Sequence, residues 1–186
     1  MNAHHLIMGK IVDRISGEAL DDTHDERLRQ SIAALLLERK GYAPGDVRPR
    51  QRLEARAGRN RALLRIDFTV VLAGCALMIV KYGPGSLVTR HRSALAASRI
   101  LCKHQIPVVV VTNGIEADIL SGATGRITGR GLAAIPDKPS LQRLLDDCAF
   151  AEIPPDRAER ESRILYAYEV DGACPCDDDI CRLPVQ

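Results

Sequence analysis

The segment from Arg65 to Lys81, RIDFTVVLAGCALMIVK, constrains the fold of this chain more than any other. Two short apolar runs rich in β-branched residues flank Ala73-Gly74, a pattern that predicts a hairpin of adjacent strands. Asp67 interrupts the first run and Lys81 closes the second, so the hairpin can carry both to one end of a sheet. A carboxylate buried alone in such a run is costly. Asp67 therefore pairs with Arg65 or Lys81, meets solvent on an alternating strand, or joins the lysine in holding a divalent cation that orients a water against a phosphate.

The flanking sequence supplies the other layers of an α/β domain. From Thr23 to Lys40 the pattern is helical, with Leu28, Ile32, Leu35 and Leu36 at helical spacing and Gly41 as C-cap. Pro44 and Pro49 bracket a loop, and Gln51 to Arg56 reads as a short edge strand. A second helix, capped by Ser86 or Thr89, runs to about Lys103 and leads into PVVVVTNG, the pattern of a strand buried on both faces. Strand, helix and buried strand in this order predict a βαβ crossover with parallel, adjacent strands. Glu116 to Gly131 reads as a small hairpin or loop, followed by helices over Leu141–Cys148 and Asp156–Tyr168, the latter after Pro154-Pro155. The expected organisation is an irregular arm over 1–22, one α/β domain over 23–150, a C-terminal helix over 151–169 and a cysteine-containing tail over 170–186.

Charge is balanced overall, with 26 Lys and Arg against 24 acids and a formal net charge of +2, so no global basic field exists. Locally it is uneven: seven arginines (Arg48, Arg50, Arg52, Arg56, Arg59, Arg61 and Arg65) face one acid, Glu54. Such a strip suits a phosphate backbone as well as it suits a solvated strand and loop. With no Trp, four Tyr and two Phe, a base-stacking platform for single strands is disfavoured. No apolar run approaches a membrane span and the N-terminus lacks a signal-peptide pattern, so the expected location is cytoplasmic, where cysteines are thiols or metal ligands rather than disulfides.

Several of these features occur together in a known family. Glu26-Arg27-Leu28-Arg29-Gln30 followed by LLLERKGY, then Asp67, the hairpin to LMIVKYGPGS, a helix and IPVVVVTNG resemble the N-terminal nuclease domain of type I restriction enzyme R subunits and its stand-alone relatives, within the PD-(D/E)xK superfamily. The resemblance covers about Asp22 to Leu141. It implies a restriction-endonuclease-like fold, a central mixed sheet flanked by helices, and metal-dependent hydrolysis of DNA. Asp67 would be a metal ligand, Lys81 the catalytic amine that positions or activates water, and Glu26 an accessory acid on the first helix.

One position departs from the family pattern. A glutamate is expected two residues before the lysine, and Ile79 stands there, offering no oxygen to Mg²⁺ or Mn²⁺. Glu26 and Glu54 are the substitutes by position for a catalytic and metal-binding carboxylate, although Thr23-His24-Asp25-Glu26 is also a capping box. The rival reading is a noncatalytic nucleic-acid-binding or assembly module that keeps the fold and Lys81 as a phosphate contact. Thr112-Asn113-Gly114 and Gly83-Pro84-Gly85-Ser86 read either as turns or as backbone approaching a phosphate, and Arg90, His91 and Arg92 as a basic groove or a solvated helix face. Cys174, Cys176 and Cys181 form C-x-C-x4-C, a spacing for Zn²⁺ or an iron-sulfur cluster that needs a fourth ligand from Cys102, Cys148 or His104; flexible thiols are the alternative. In a third reading this tail is the functional centre on a scaffold domain. Expected partners are DNA and a second copy or other subunits, with no membrane.

Overall fold

The predicted hairpin lies at the centre of the molecule. A computed structural model describes residues 6–147, 150–171 and 180–184. Strands β3 (Val47–Ala57), β4 (Asn60–Leu72), β5 (Cys75–Tyr82), β6 (Val108–Thr112), β7 (Ala117–Ser121) and β8 (Ile127–Arg130) form one sheet in that order. Only β5 and β6 are parallel, joined through helix α2 (Val88–Ile100) in the expected crossover. The sheet is therefore mixed, and helices cover both of its faces, as in a restriction-endonuclease-like fold.

One face packs Leu64, Ile66, Ile79, Val109 and Val111 against α2 and helix α4 (Pro155–Tyr166), through Leu95 and Leu165. The other packs Phe68, Val70, Met78, Val80 and Val110 against helix α1 (His24–Ala34) and helix α3 (Lys138–Asp147), through Ile32, Leu36 and Leu141. Helix α1 continues as a π-turn over Leu35–Arg39 and ends where Gly41 turns left-handed at φ 74°, with Tyr42 N–H donating to the Leu36 carbonyl, so the expected glycine stop is real. Pro155 opens α4 at its first position, where its missing N–H costs nothing.

Two expectations about the ends need correction. Within the N-terminal arm, β1 (Lys10–Val12) and β2 (Ala19–Asp21) form an antiparallel hairpin rather than irregular chain. Residues Glu116 to Gly131 do form a hairpin, and it also extends the main sheet through β6. The C-terminal tail rejoins the sheet: β9 (Cys181–Leu183) pairs antiparallel with Arg61–Leu63 of β4. Short strands of three residues carry too little periodicity to read from sequence.

Strand β4 changes face at Asp67. In β4, Ala62, Leu64 and Ile66 face α2 and α4, whereas Phe68, Val70 and Leu72, in the same odd-even phase, face α1. Strict alternation would put all six on one side. Across from this point Arg50 of β3 adopts φ 50°, a left-handed conformation that non-glycine residues seldom take, and the β3–β4 register has no Arg50–Asp67 partner pair. The kink at Arg50 re-aims Asp67.

Candidate functional site

Asp67 and Lys81 lie beside each other by register, since β4 and β5 pair Phe68 with Val80 and Thr69 with Ile79. Their side chains nevertheless engage different layers. Arg29 of α1 donates from Nε to Asp67 Oδ1 at 2.8 Å, and the Tyr82 backbone N–H donates to Oδ2 at 2.8 Å. The partner of Asp67 is thus Arg29, not Arg65 or Lys81. On the opposite layer, Lys81 Nζ meets Glu169 Oε2 at 2.8 Å.

Helix geometry explains the first cluster. Glu26, Arg29 and Gln30 lie three and four residues apart and share one face of α1. Gln30 Nε2 donates to Glu26 Oε1 at 2.8 Å and to Asp13 Oδ2 at 3.0 Å, and Arg50 Nη1 lies 3.7 Å from Glu26 Oε1. Arg29 Nη1 stands 3.8 Å from Glu26 Oε2 while its Nε holds Asp67. Its guanidinium also lies 5.1 Å from the centroid of the Tyr82 ring, whose hydroxyl donates to Asp25. Thr23 caps α1 by accepting from Glu26 N–H, but the Glu26 side chain turns toward Gln30 instead of closing the capping box.

Asp13 anchors this network from the N-terminal side. It accepts from the N–H groups of Ile15 and Ser16, from Gln30 and from Arg50 Nη1 at 2.8 Å, with its side chain fully buried. Burial alone would raise its pKa; these donors outweigh that and hold it at about 2. The Asp13–Arg50 pair fixes the backbone at the kink opposite Asp67.

These residues do not fit a divalent metal. A shared Mg²⁺ or Mn²⁺ needs carboxylate oxygens turned toward one point with their lone pairs open. Asp67 spends both oxygens on Arg29 and Tyr82, and a guanidinium sits between Asp67 and Glu26. Glu54, the other candidate, pairs with Arg56 at 2.6 Å and approaches Arg61 at 3.8 Å on the outer hairpin. Ile79 is wholly buried against α2 and α4. Among the described residues no group of three or more His, Cys, Asp and Glu is arranged to hold a metal ion. Cys174, Cys176 and Cys148 lie outside the described residues; Cys181 is exposed on β9, and His104 Nε2 lies 2.9 Å from the Ala76 carbonyl oxygen and 3.5 Å from Cys75 Sγ.

The second cluster was not foreseen. Glu169 sits in a π-turn, Ala167–Asp171, that extends α4 over the end of β5. Burial would raise its pKa, but Lys81, with contributions from Ser93 and Arg90, brings it below the usual value. No local pattern marks Glu169, because its partner lies far away in sequence. The three residues of the expected basic groove divide: Arg92 pairs with Glu161, His91 with Asp118 at 2.8 Å, and Arg90 donates to the Pro84 carbonyl. Asn113 Oδ1 accepts from the N–H groups of Ile115 and Glu116, so Thr112-Asn113-Gly114 is a turn closed by its own side chain.

The hairpin arginines divide as well. Arg50, Arg56 and Arg61 are compensated by acids, whereas Arg48, Arg52 and Arg59 are exposed and make no ion pair among the described residues. Arg52 is the cross-strand partner of Arg65, placing two exposed guanidinium side chains on one face. Among the described residues no helix is long and apolar enough to cross a membrane.

No curated protein and no solved structure matches the chain. Residues 24–136 match the family described as type I restriction enzyme R protein N terminus, a span that begins at α1 and includes Asp67, Lys81 and the Thr112-Asn113-Gly114 turn. With most of its length in that match, the chain belongs to the type I restriction enzyme R protein N-terminal family.

Proposed function

We propose that this protein is a noncatalytic nucleic-acid-binding module built on the restriction-endonuclease-like fold. The observation that carries the reading is the state of Asp67, whose two carboxylate oxygens are held by Arg29 and the Tyr82 N–H. A guanidinium supplies positive charge without the open coordination positions that a cation uses to activate water. Ile79, where a second carboxylate is expected, is part of the core instead.

Binding would be electrostatic and centred on the β3–β4 hairpin. Arg48, Arg52 and Arg59 are exposed and make no ion pair among the described residues, so they supply the positive charge that a phosphate backbone would meet. DNA is the partner that family membership favours. No aromatic platform accompanies the arginines, so contacts would go to phosphates and carry little sequence information.

The test combines cleavage with binding. Plasmid, linear and single-stranded DNA incubated with the protein in Mg²⁺ or Mn²⁺ should remain intact, while fluorescence anisotropy detects salt-sensitive binding. Replacing Arg48, Arg52 and Arg59 by alanine should lower the slope of log K against log salt by roughly 2 to 3, since each phosphate contact contributes about 0.9. Cleavage that disappears in Lys81→Ala would establish the nuclease reading in its place.

A further inference from the structure

The Lys81–Glu169 pair has the composition of an occupied anion site. Lys81 is a buried ammonium on β5, with 8% of its side chain exposed, and its ion-pair partner is a carboxylate brought in from another part of the chain. Ser93 and Arg90, on the face of α2 toward β5, contribute to holding Glu169 ionised. Arg90 Nε is buried and has no hydrogen-bond partner among the described residues, a donor that lacks an acceptor. Gly83 makes room for this arginine: a Cβ at Gly83 would fall 2.3 Å from Arg90 Cζ, so the guanidinium lies directly on the end of β5. The site stands where β5 and β6 end, on the side of an α/β sheet where ligands collect.

Origin separates the site from its occupant. Lys81 and Arg90 fall within the family span of 24–136, whereas Glu169 lies beyond it, on the turn that follows α4. That turn is held in place by Val170, which is fully buried and whose carbonyl accepts from Arg182.

We infer that Lys81 and Arg90 form a binding site for a phosphate group, and that the Glu169 carboxylate occupies it as a built-in competitor. The phosphate chemistry follows from the Lys81 ammonium, which already holds one carboxylate at 2.8 Å, and from the Arg90 guanidinium at the end of β5, whose buried Nε lacks an acceptor. Its assignment to a nucleic-acid backbone rests on the nucleic-acid reading above, and access for a phosphodiester requires the Ala167–Asp171 turn to withdraw.

Inorganic phosphate is the probe. Glu169→Ala should lower the melting temperature by leaving Lys81 unpaired, and phosphate at tens of millimolar should restore several degrees by mass action. Wild type and Lys81→Met/Glu169→Ala should show only the small general stabilisation that phosphate gives any fold. If Glu169→Ala is unfolded at rest, phosphate should recover its folded signal. An equal phosphate response in all three proteins, or no recovery of an unfolded Glu169→Ala, would overturn the site. In anisotropy assays, Glu169→Ala should bind duplex DNA about tenfold tighter than wild type. A phosphate response without any DNA binding by wild type or variant would remove the nucleic-acid reading alone and leave the anion site supported.

Discussion

Arg29 does at this site what a metal does elsewhere: it neutralises Asp67 and approaches Glu26 from the same guanidinium. The difference is chemical, because a guanidinium cannot deprotonate or exchange a bound water. Arg29 and Gln30 were both legible in the Glu26-to-Gln30 run, and their shared helix face follows from spacing. That the arginine would reach Asp67 was not legible, because the meeting depends on the kink at Arg50. Asp13 controls that kink and gives a residue-scale prediction. Its folded pKa of about 2 lies below the ordinary 3.8, so it contributes stability that is present above about pH 4 and lost as pH falls through 2. Asp13→Asn should cost about 2 kcal/mol near neutral pH and flatten the acid limb of the stability profile. Urea unfolding across that range measures both, and an unchanged acid limb would contradict the assignment.

At the scale of elements, the hairpin, the βαβ crossover and the buried β6 strand follow from apolar runs and their turns, and all are present. What sequence patterning missed is where β4 changes face. Period-two reasoning places Asp67 on the side of Lys81 and Ile79, and only the left-handed Arg50 shows why it points to α1 instead. Helix α4 is placed by a polar contact that periodicity cannot show. Glu161 accepts from Arg92 at 2.6 Å and Arg99 at 2.7 Å, locking α4 to α2, and Ser162 accepts the Arg56 N–H on the edge strand. The two guanidinium groups outweigh the cost of burial and keep Glu161 ionised below its ordinary pKa. Removing one member of a buried pair strands its partners, so Glu161→Ala should destabilise the fold by about 3 kcal/mol in chemical denaturation. A loss under about 0.5 kcal/mol, the range of ordinary surface substitutions, would show that α4 is held by its apolar face alone.

For the whole molecule, the family domain and the C-terminal segment form one structure. Helix α4 covers the layer beneath Ile79, its terminal turn brings Glu169 to Lys81, and β9 adds a strand beside Arg61–Leu63. The domain and its layers could be inferred because local patterns specify them. The docking of Pro155–Asp171 and Cys181–Leu183 could not, since it joins groups distant in sequence through ion pairs and a three-residue strand. The resulting molecule commits Asp67 and Lys81 each to a protein partner on opposite layers. Titration of the protein with Mn²⁺, followed by electron paramagnetic resonance and calorimetry and repeated with Asp67→Asn, tests this directly. No saturable Mn²⁺ binding that depends on Asp67 is expected; stoichiometric binding lost in Asp67→Asn, with DNA cleavage lost in the same variant, would contradict the pairing of Asp67 with Arg29.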